Sequence, residues 1–436
     1  MRKRSTGVRS IQSSENHNEK TKINIAQVIV VTHSHPPDRV GIRWLIPGLK
    51  VYYIPFKTIA SSATLPNYFA FLPYFRTIML REHINIVHGH GGLSSLAQEG
   101  ILHAHHLGIR TVFTDHSLFG FSDAASILTN KLLEVALKNV DGVICVSYTS
   151  RENTVLRAVI PPTLVYVIPN AIIAGQFRPR ETPLAIDIIT IVVISRLAYR
   201  KGIDLLVATA PRICERFPNV RFLIGGDGPK LIELLQMREK YRLQDRIIIL
   251  GPVKPTDVRN VLIQGSIFLN SSLTEAFGTA ILEAACAGLY VVSTRVGGAP
   301  EVLPEDMISF AKPEEDDVIR AVAEAIDIIS KGRHDPIAAH ERIKGFYHWG
   351  QIADRTEVVY ESILKTEPTD LWNRMQRTLT VGPCAGPIYL GVLIVDCIFF
   401  MILEYFMPRE VIDYVLNEWD LQRFRKVVGG QLVDRR

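Results

Sequence analysis

Two glutamates, Glu275 and Glu283, stand on either side of a glycine-containing turn in the segment NSSLTEAFGTAILE, residues 270–283. A short apolar run precedes this segment, and a helix-like pattern begins after Gly278. The start of a helix carries unpaired backbone N–H groups and a partial positive charge, so it favours a phosphate. One glutamate could then contact a sugar hydroxyl and the other a ribose, with phosphates between them. The alternative is an amphipathic helix with a solvated glutamate and Thr274 as its N-cap, and this segment alone does not decide between the two.

Two cations and a glycine loop follow other predicted strands in the same half of the chain. Arg196 and Lys201 come after an apolar strand at residues 188–195 and match the charge of a diphosphate. Gly226 lies in the sequence GGDG after the strand at 220–225, where glycine permits close approach of the backbone to a ligand. GGDG alone also fits an ordinary tight turn. The two cations and the two glutamates together form the more specific signal, and they predict a diphosphate-binding site.

His116 follows the fourth predicted strand of the first half, in the sequence DHSLFG at 115–120. Functional side chains in open α/β sheets collect at the carboxyl ends of strands, so His116 is a candidate substrate contact. The alternative is a core histidine that is hydrogen-bonded beneath a loop.

A metal site is not expected, because no carboxylate is matched to the other histidines nearby, which are His88, His90, His103, His105 and His106.

The composition describes a globular protein of two domains with additional segments. The chain has 436 residues, of which 47% are hydrophobic and 21% charged. Its net charge of +5 is modest and no dense Lys/Arg stripe occurs, so a nucleic-acid partner is not expected. The five cysteines are scattered and lack CxxC spacing, which fits a reducing compartment better than a disulfide framework.

Short apolar strands alternate with helical segments along most of the chain, which predicts parallel α/β sheets. The predicted strands lie at 28–32, 49–54, 84–90, 111–114, 141–147, 164–169, 188–195, 220–225, 247–250, 267–270, 291–294 and 311–313. The predicted domains are a disordered basic tail (1–22), a first Rossmann-like domain (23–175), a linker (176–187), a second Rossmann-like domain (188–345), a helix that crosses back (346–366), a transmembrane helix (386–407) and a tail (408–436).

The apolar segment at 386–407 is long enough to cross a bilayer, and a single span is the preferred interpretation. A buried hairpin or an interfacial helix is the alternative, because Asp396 and Glu404 interrupt the segment. A carboxylate near the middle of a span is costly, so Asp396 is expected to meet a helix of another subunit. The alternative is a polar residue that is tolerated in a thin membrane. Basic residues on both sides of the segment leave the orientation undecided.

Several longer motifs resemble known enzymes. The segments ISRLAYRKGIDLL, IGGDGP, LTEAFGTAILEA and TRVGGAPEVL resemble the family-4 retaining glycosyltransferases, and the resemblance covers residues 28–345. Within that group, VFTDHSLFGFSD, LTNKLL, ICVSYTSRENTVLRA and VIPNA are similar to the family whose members transfer N-acetylglucosamine to phosphatidylinositol.

This resemblance implies an α/β protein of the GT-B fold, with two Rossmann-like domains facing a cleft and one C-terminal transmembrane helix. It implies retaining transfer of N-acetylglucosamine from UDP-N-acetylglucosamine to phosphatidylinositol, the first step of GPI-anchor biosynthesis. The partners would be other subunits of the transferase complex and the endoplasmic reticulum membrane, with the catalytic domain on the cytoplasmic side. No metal or other cofactor is expected, since the sequence has no Asp-x-Asp motif.

The resemblance also implies roles for individual residues. Arg196 and Lys201 would hold the diphosphate, Glu275 the donor sugar and Glu283 the ribose, while His116 would line the sugar side of the cleft. Further donor contacts would come from Gly226, Asn170, Gly278 and Thr279. Of these, His116, Glu275, Lys201 and Arg196 would be catalytic.

One departure from this family is large. Its members begin with a strand, a Gly-Gly loop and a helix before the strand that residues 28–32 resemble. In the strand order 3-2-1-4-5-6 that missing strand is central, so the first sheet is expected to have an unfilled slot and the enzyme a reduced activity. The alternatives are a truncated, non-catalytic scaffold subunit of the same complex, or a retaining glycosyltransferase with another acceptor.

Overall fold

The computed structural model describes residues 28–46, 48–56, 66–121, 124–182 and 187–415. The tail predicted at 1–22, part of the predicted linker at 183–186 and the end of the tail at 416–436 lie outside these residues. The strands are β1 (Val28–His33), β2 (Gly41–Ile46), β3 (Leu49–Ile54), β4 (Ile86–His90), β5 (Arg110–Asp115), β6 (Gly142–Cys145), β7 (Val165–Val167), β8 (Ile189–Ile194), β9 (Val220–Gly225), β10 (Ile247–Gly251), β11 (Ile267–Asn270), β12 (Tyr290–Thr294) and β13 (Ile308–Ala311).

Helices connect and cover these strands. They are α1 (Tyr68–Arg81), α2 (Ser95–Ala104), α3 (Ala124–Leu137), α4 (Tyr148–Ala158), α5 (Ile203–Arg216), α6 (Leu231–Lys240), α7 (Val258–Leu262), α8 (Thr279–Cys286), α9 (Glu315–Ser330), α10 (Pro336–Phe346), α11 (Trp349–Leu364), α12 (Leu371–Leu379) and α13 (Ala385–Phe406).

The second half of the chain forms one six-stranded sheet in the order β10-β9-β8-β11-β12-β13. All its strand pairs are parallel, and its strands are apolar on both faces because helices cover both sides. Helices α5 and α9 pack with Ile191 and Phe222 in one core, and α8 packs with Phe268 in the other. This sheet brings its parallel strand ends to one edge, which is where the predicted diphosphate residues lie.

The first half forms two separate sheets, β1-β3-β2 and β4-β5-β6-β7. Strand β1 runs parallel to β3, while β2 is antiparallel to β3 and is not among the predicted strands. One hydrophobic cluster joins the two sheets, since Ile29 and Val87 pack with Phe71 and Phe75 of α1. The two sheets therefore form one layer over α1 and α2, and the layer is divided at the position where the resemblance implies a missing central strand.

Helix α11 leads from the second half back to the first. Val359 and Ile363 pack against Val112 and Ile144 on the face of the four-stranded sheet opposite α2. The backbone N–H of Ile172 donates to the carbonyl of Tyr347 at 3.0 Å, which ties the start of this crossing to the end of the first half.

Helix α13 is the one helix in the described part of the chain that is long and apolar enough to cross a membrane, with a mean hydropathy of 2.3. It packs along α12 and α1, and it buries a stripe of residues made of Gly386, Leu393, Asp396 and Phe400. The opposite face is apolar and exposed, with Ile394, Val395, Ile398, Met401, Ile402 and Tyr405.

The carboxylate of Asp396 has its partners within the same chain. Its Oδ2 lies 3.0 Å from Nδ1 of His103 and 2.8 Å from Nε2 of His106. The expectation that these histidines lack a carboxylate is therefore wrong. In this arrangement Asp396 is paired within its own chain, and its contact with another subunit stays a prediction. At the end of α13, Arg76 donates to Glu404 at 2.7 Å and to the carbonyl of Met407 at 2.7 Å, so both polar interruptions of the apolar helix face the first-half domain.

Candidate active site

Lys201 and Glu275 meet at the carboxyl edge of the six-stranded sheet. Lys201 ends a short turn after β8 and Glu275 follows β11, and their Nζ and Oε1 atoms lie 2.5 Å apart. Ser272 donates its hydroxyl to the same Oε1 at 2.8 Å. The loops approach closely because Gly202 has φ +66° and a Cβ there would lie 1.7 Å from the carbonyl oxygen of Ser271. The cation and the carboxylate predicted for the site are thus held side by side.

Gly226 brings the loops after β8 and β9 together. Its φ is +144°, and a Cβ at this position would lie 1.9 Å from the carbonyl oxygen of Ser195, beside Arg196. The N–H of Gly226 already donates to the carbonyl of Gly251 at 2.7 Å. Gly226 therefore shapes the loop that carries Arg196, whose side chain is exposed, and its own N–H is used within the protein.

Helix α8 begins at Thr279, and Gly278 is its N-cap with φ +96° and no side-chain cap. Thr274 is consequently not the cap, which rules out that part of the alternative interpretation. The first N–H groups of a helix have no partner inside it, so this N-terminus can donate to an anion. Glu283 lies one turn into α8 and is half-buried, and this burial raises the pKa of its carboxyl group.

The loop that carries His116 is fixed by the buried carboxylate of Asp115. Oδ2 of Asp115 accepts from Arg157 Nη1 at 3.1 Å and from the hydroxyl of Thr154 at 3.0 Å. Oδ1 accepts from the backbone N–H of Ser117 at 2.9 Å. Because Arg157 and Asp115 are both almost fully buried, removing either would leave an unpaired charge inside the protein. Asp115 and Arg157 position His116, and neither is among the predicted site residues.

The ring of His116 belongs to a stack of three histidines. Nε2 of His116 lies 3.2 Å from Nδ1 of His90, and the ring of His90 stacks on that of His88 at 4.3 Å. His88 is bonded in turn to the hydroxyls of Tyr360 on α11, at 2.7 Å, and of Thr114, at 2.6 Å. Residues two apart on a strand face the same way, so the sequence HGH on β4 is the signal that could predict this stack.

Burial lowers the pKa of all three histidines. For His88 the neighbouring charges of His90 and His116 add to burial, and its pKa falls to about 3. The pKa of His90 is lowered by burial and then by His116, and that of His116 is lowered by burial although Asp115 opposes the shift. The three rings are therefore neutral near pH 7, and His116 can either donate or accept a hydrogen bond.

Glu301 joins the two halves of the protein at this cleft. Its carboxylate accepts from the backbone N–H groups of Tyr148 at 2.6 Å and Thr149 at 2.9 Å, which are the first residues of α4. Ser147, the N-cap of α4, donates to the carbonyl of Ala276 at 2.6 Å. A carboxylate from the second half thus lies at a helix N-terminus of the first half, and the loop with Glu275 is held against the first domain. Glu301 is also absent from the predicted site residues.

A cavity of about 860 Å³ lies between the halves next to these loops. Arg200 crosses it, donating to the carbonyl of Leu118 at 2.7 Å and lying 5.4 Å above the ring of Phe119.

Within the described residues, hydrogen bonds join Lys201 to Glu275 and His116 to His90. None joins Asn170, Arg196 or Glu283 to another predicted site residue, and Asn170 is half-buried after β7.

A six-stranded parallel sheet faces the divided sheet of the first half across a cleft, with cations and carboxylates at the strand ends. This arrangement is that of a glycosyltransferase of the GT-B fold. The family model described as glycosyl transferases group 1 matches residues 179–342. The sucrose-phosphate synthase of Thermosynechococcus elongatus shares the fold, with a TM-score of 0.63 and 19% identity over 78% of this chain and 89% of its own.

Other proteins are more similar to this chain in sequence than that synthase is. A second family model, described as PIGA (GPI anchor biosynthesis), matches residues 33–123. The phosphatidylinositol N-acetylglucosaminyltransferase gpi3 subunit of Schizosaccharomyces pombe is 51% identical over 387 residues, 89% of this chain and 85% of that protein. A phosphatidylinositol N-acetylglucosaminyltransferase subunit of Homo sapiens is 46% identical over 393 residues, 90% of this chain and 81% of that protein. The chain belongs to this PIGA family of phosphatidylinositol N-acetylglucosaminyltransferase subunits, which confirms the resemblance seen in its motifs.

Proposed function

We propose that this chain is the catalytic subunit that transfers N-acetylglucosamine from UDP-N-acetylglucosamine to phosphatidylinositol with retention of configuration. This reaction is the first step of GPI-anchor biosynthesis. The observation that carries the proposal is the pairing of Lys201 with Glu275 beside the N-terminus of α8, in a chain of this family.

Departure of UDP from the sugar places negative charge on its diphosphate. Four groups of full or partial positive charge lie at one edge of the sheet: the side chains of Lys201 and Arg196, and the N–H groups of Gly278 and Thr279. Such preorganised groups stabilise negative charge where it develops. These groups would hold the diphosphate without a metal, which is our expectation for the donor site. Lys201 would exchange its contact with Glu275 for a phosphate oxygen when the donor binds.

The carboxylates and the histidine would orient the sugar nucleotide. Glu275, once released by Lys201, can accept hydrogen bonds from sugar hydroxyls, and Glu283 can accept them from the ribose. Neutral His116, held by His90 and by the anchored loop of Asp115, would bind the sugar from the other side of the cleft. Asn170 would complete the donor contacts, and Gly226 would keep the loop of Arg196 in place.

The apolar helix α13 fits a membrane-associated subunit. We propose further that it crosses the endoplasmic reticulum membrane once, that both domains lie on the cytoplasmic side, and that other subunits of the transferase complex bind there. A spanning position requires α13 to leave Arg76, His103 and His106. Glycosylation acceptor sites placed before residue 385 and after residue 407 test this topology. Modification of the second site alone is expected, and modification of neither would contradict the span.

Transfer of radiolabelled N-acetylglucosamine from UDP to phosphatidylinositol tests the reaction itself. The assay uses microsomes from cells that lack the endogenous subunit and express this chain. The product should form, and Lys201→Ala and Glu275→Ala should abolish it. Lys331→Ala is a matched control, because Lys331 forms an ion pair with Asp327 on the surface of the second half. Equal loss in the control, or no effect of Lys201→Ala, would contradict the proposal.

The divided sheet of the first half favours a second candidate function, a non-catalytic subunit that binds the donor and assembles with its partners. Binding of UDP-N-acetylglucosamine without transfer to any lipid would support this candidate. Transfer to a lipid other than phosphatidylinositol would instead indicate a retaining glycosyltransferase with another acceptor.

A further inference from the structure

Helix α12 exposes apolar side chains and buries polar ones. Leu371, Trp372 and Leu379 lie on one side of the helix at about 100° per residue, and Trp372 is 68% exposed while Leu379 is 46% exposed. Arg374 and Thr378 are instead buried. This arrangement is the reverse of that in a helix on a water-exposed surface. It is typical of a helix at the boundary between water and lipid, where tryptophan is preferred.

The position of α12 in the chain keeps it close to the membrane. Residues 380–384 alone join it to the apolar helix α13, and five residues extend at most about 20 Å. Contacts to α3 and its end hold α12 independently of α13, since Lys131 donates to the carbonyl of Val381 at 2.8 Å and Nδ2 of Asn139 to the hydroxyl of Thr378 at 3.3 Å. Helix α12 therefore lies near the bilayer surface whether α13 stays docked or spans.

The guanidinium of Arg374 on this helix is buried without a partner of opposite charge. Arg374 is 3% exposed, and its Nε has no hydrogen-bond partner among the described residues. Burial lowers the pKa of Arg374 to about 10, although Cys397, Asp396 and Asp141 oppose this shift. Both of these carboxylates are paired with other residues, Asp141 with Arg110 and Asp396 with the two histidines described above. A buried charge in this condition is costly, so an anion that reaches it is bound strongly.

Arg374 lines a cavity of about 50 Å³ between α2, α3, α12 and α13. One water needs about 10–15 Å³, so this volume suits about four water-sized groups, as in the four oxygens of a phosphate. Among the described residues that line the cavity there is no carboxylate, and much of its wall is apolar, including Leu102, Leu132 and Val392. One positive charge with apolar walls matches the phosphate of a phospholipid and the first atoms of its acyl chains.

This cavity is separate from the candidate active site. It adjoins the last turns of α2 and α3, including Leu102 and Val135. Both helices begin near the opposite edge of the sheet, where His90 and His116 end or follow their strands. Because α2 is about 15 Å long, a ligand beside Arg374 is neither the donor nor the acceptor of the transfer reaction.

We propose that α12 is an interfacial helix and that the cavity behind it binds the phosphate of one phospholipid molecule of the membrane. Arg374 donates to the phosphate oxygens, the acyl chains extend along the apolar side chains of α12 and α13, and Trp372 enters the bilayer. This lipid is not consumed, and its binding does not depend on the proposed function. It holds the first-half domain at a fixed depth on the membrane.

Hydrogen exchange of the full chain in detergent micelles tests the binding. The probe is dioleoyl phosphatidylglycerol, which lacks inositol, and its control is dioleoylglycerol, which has the same acyl chains without a phosphate. The probe should slow exchange about tenfold in α12 and at the end of α3, and it should leave β9 in the second half unchanged. No protection by the probe, or equal protection by dioleoylglycerol, would overturn the site. Equal protection by inorganic phosphate alone would overturn the lipid as its occupant.

Two arginines of α12 distinguish this site from general surface charge. Arg374→Gln should weaken protection by the probe about tenfold or more, because hydrogen bonds to a charged group are lost. Without lipid the same variant should keep or raise the Tm, since it removes a buried unpaired charge. Arg377→Gln, on an exposed position of the same helix, is the control and should leave protection unchanged. Equal weakening by both variants, or a lower Tm of lipid-free Arg374→Gln, would contradict the proposal.

Fluorescence quenching tests the position of α12. Variants that retain Trp372 or Trp349 as their single tryptophan are placed in vesicles of phosphatidylcholine and phosphatidylglycerol that carry a nitroxide near the headgroup. Trp372 should be quenched at least about twofold more than Trp349, which is 56% exposed at the start of α11. Equal quenching of the two would overturn the interfacial position. No sugar donor is present in these experiments, so a failure of the transfer reaction leaves their outcome unchanged.

Discussion

The two halves of the molecule are built from the same alternation of strands and helices, but among the described residues only the second half completes its sheet. Six strands form a continuous parallel sheet there, and the inner strands β8, β9, β11 and β12 each have two neighbours. In the first half the sheet is divided, and Val28 and Val30 are exposed on a strand that would be internal in a complete sheet. Alternation alone therefore does not make a Rossmann-like domain, because closing the sheet also needs its central strand.

The two halves also contribute different groups to the candidate active site. The complete half carries the groups that suit a diphosphate: Lys201, Arg196 and the N-terminus of α8. The incomplete half contributes His116, and under the proposed function it would also bind the acceptor. We expect the donor half to be rigid without help and the acceptor half to open at lower free energy, since local stability follows buried apolar contacts.

The largest effect is expected from the donor half. Lys201→Ala removes a cation from the point where charge develops, so kcat for transfer should fall by roughly 10²–10³-fold. Direct UDP-N-acetylglucosamine transfer assays with saturating donor measure this. A fall of the same size in Arg212→Ala, an exposed arginine of the same half, would show a general defect and contradict the assignment.

The second effect compares the cores of the two sheets. Phe222→Ala in β9, where the ring is fully buried, should lower the free energy of unfolding by about 3–5 kcal/mol. Val30→Ala in β1, which is 38% exposed, should lower it by about 1 kcal/mol or less. Urea denaturation followed separately by hydrogen exchange in β9 and β1 measures both. Equal losses would mean that the gap at β1 is filled in solution.

The third effect concerns the contact between the halves. Glu301→Ala removes the carboxylate at the N-terminus of α4 and should cost about 1–2 kcal/mol of stability, concentrated at α4. It should also raise KM for the donor more than it lowers kcat, because the loop of Glu275 loses its support. Glu305→Ala is a control on the same segment. A decrease of kcat alone would show that Glu301 acts elsewhere.

The smallest effect is a dependence of stability on pH in the first half. The pKa values of His88, His90 and His116 are lowered from 6.5 in the folded protein, so the unfolded chain takes up protons that the folded chain does not. Their contribution is present above about pH 6.5 and is lost progressively as the pH falls below it. Denaturation at about pH 7.5 and about pH 5.5 should show this loss, and His88→Gln should reduce it. An unchanged slope in that variant would contradict the role of the stack.

The sequence predicts most strands of both halves. In the complete sheet the last strand is misplaced, since it lies at Ile308–Ala311 and not at 311–313, while the strand at 49–54 of the first half has its predicted limits. The strand at 267–270 is predicted with the limits that the structure has, because buried parallel strands are continuous apolar runs. Strand β2, with the sequence GIRWLI, is not predicted, since it lies at an open edge where Ile42, Leu45 and Ile46 are exposed and burial imposes no regular pattern.

Other features depend on residues that are distant in sequence. The contact between His103 and Asp396 joins positions 293 residues apart, and that between Glu301 and Tyr148 joins positions 153 apart. Local periodicity contains no information on such pairs, so the carboxylate partner of the histidines and the link between the halves are not predicted. Lys201 and Glu275, in contrast, lie in motifs whose order along the chain is itself the signal.

The two attachments of α13 also have a consequence for orientation. Asp396 is held by His103 and His106, and Glu404, about two helical turns further on, is held by Arg76. Two contacts on the same face of a helix fix its rotation about its own axis as well as its position. While these contacts hold α13 against the first-half domain, the face with Ile398 and Met401 keeps a constant orientation relative to the cleft. An apolar surface that covers this face then fixes the direction in which the cleft opens, whereas insertion of α13 as a span would break these contacts.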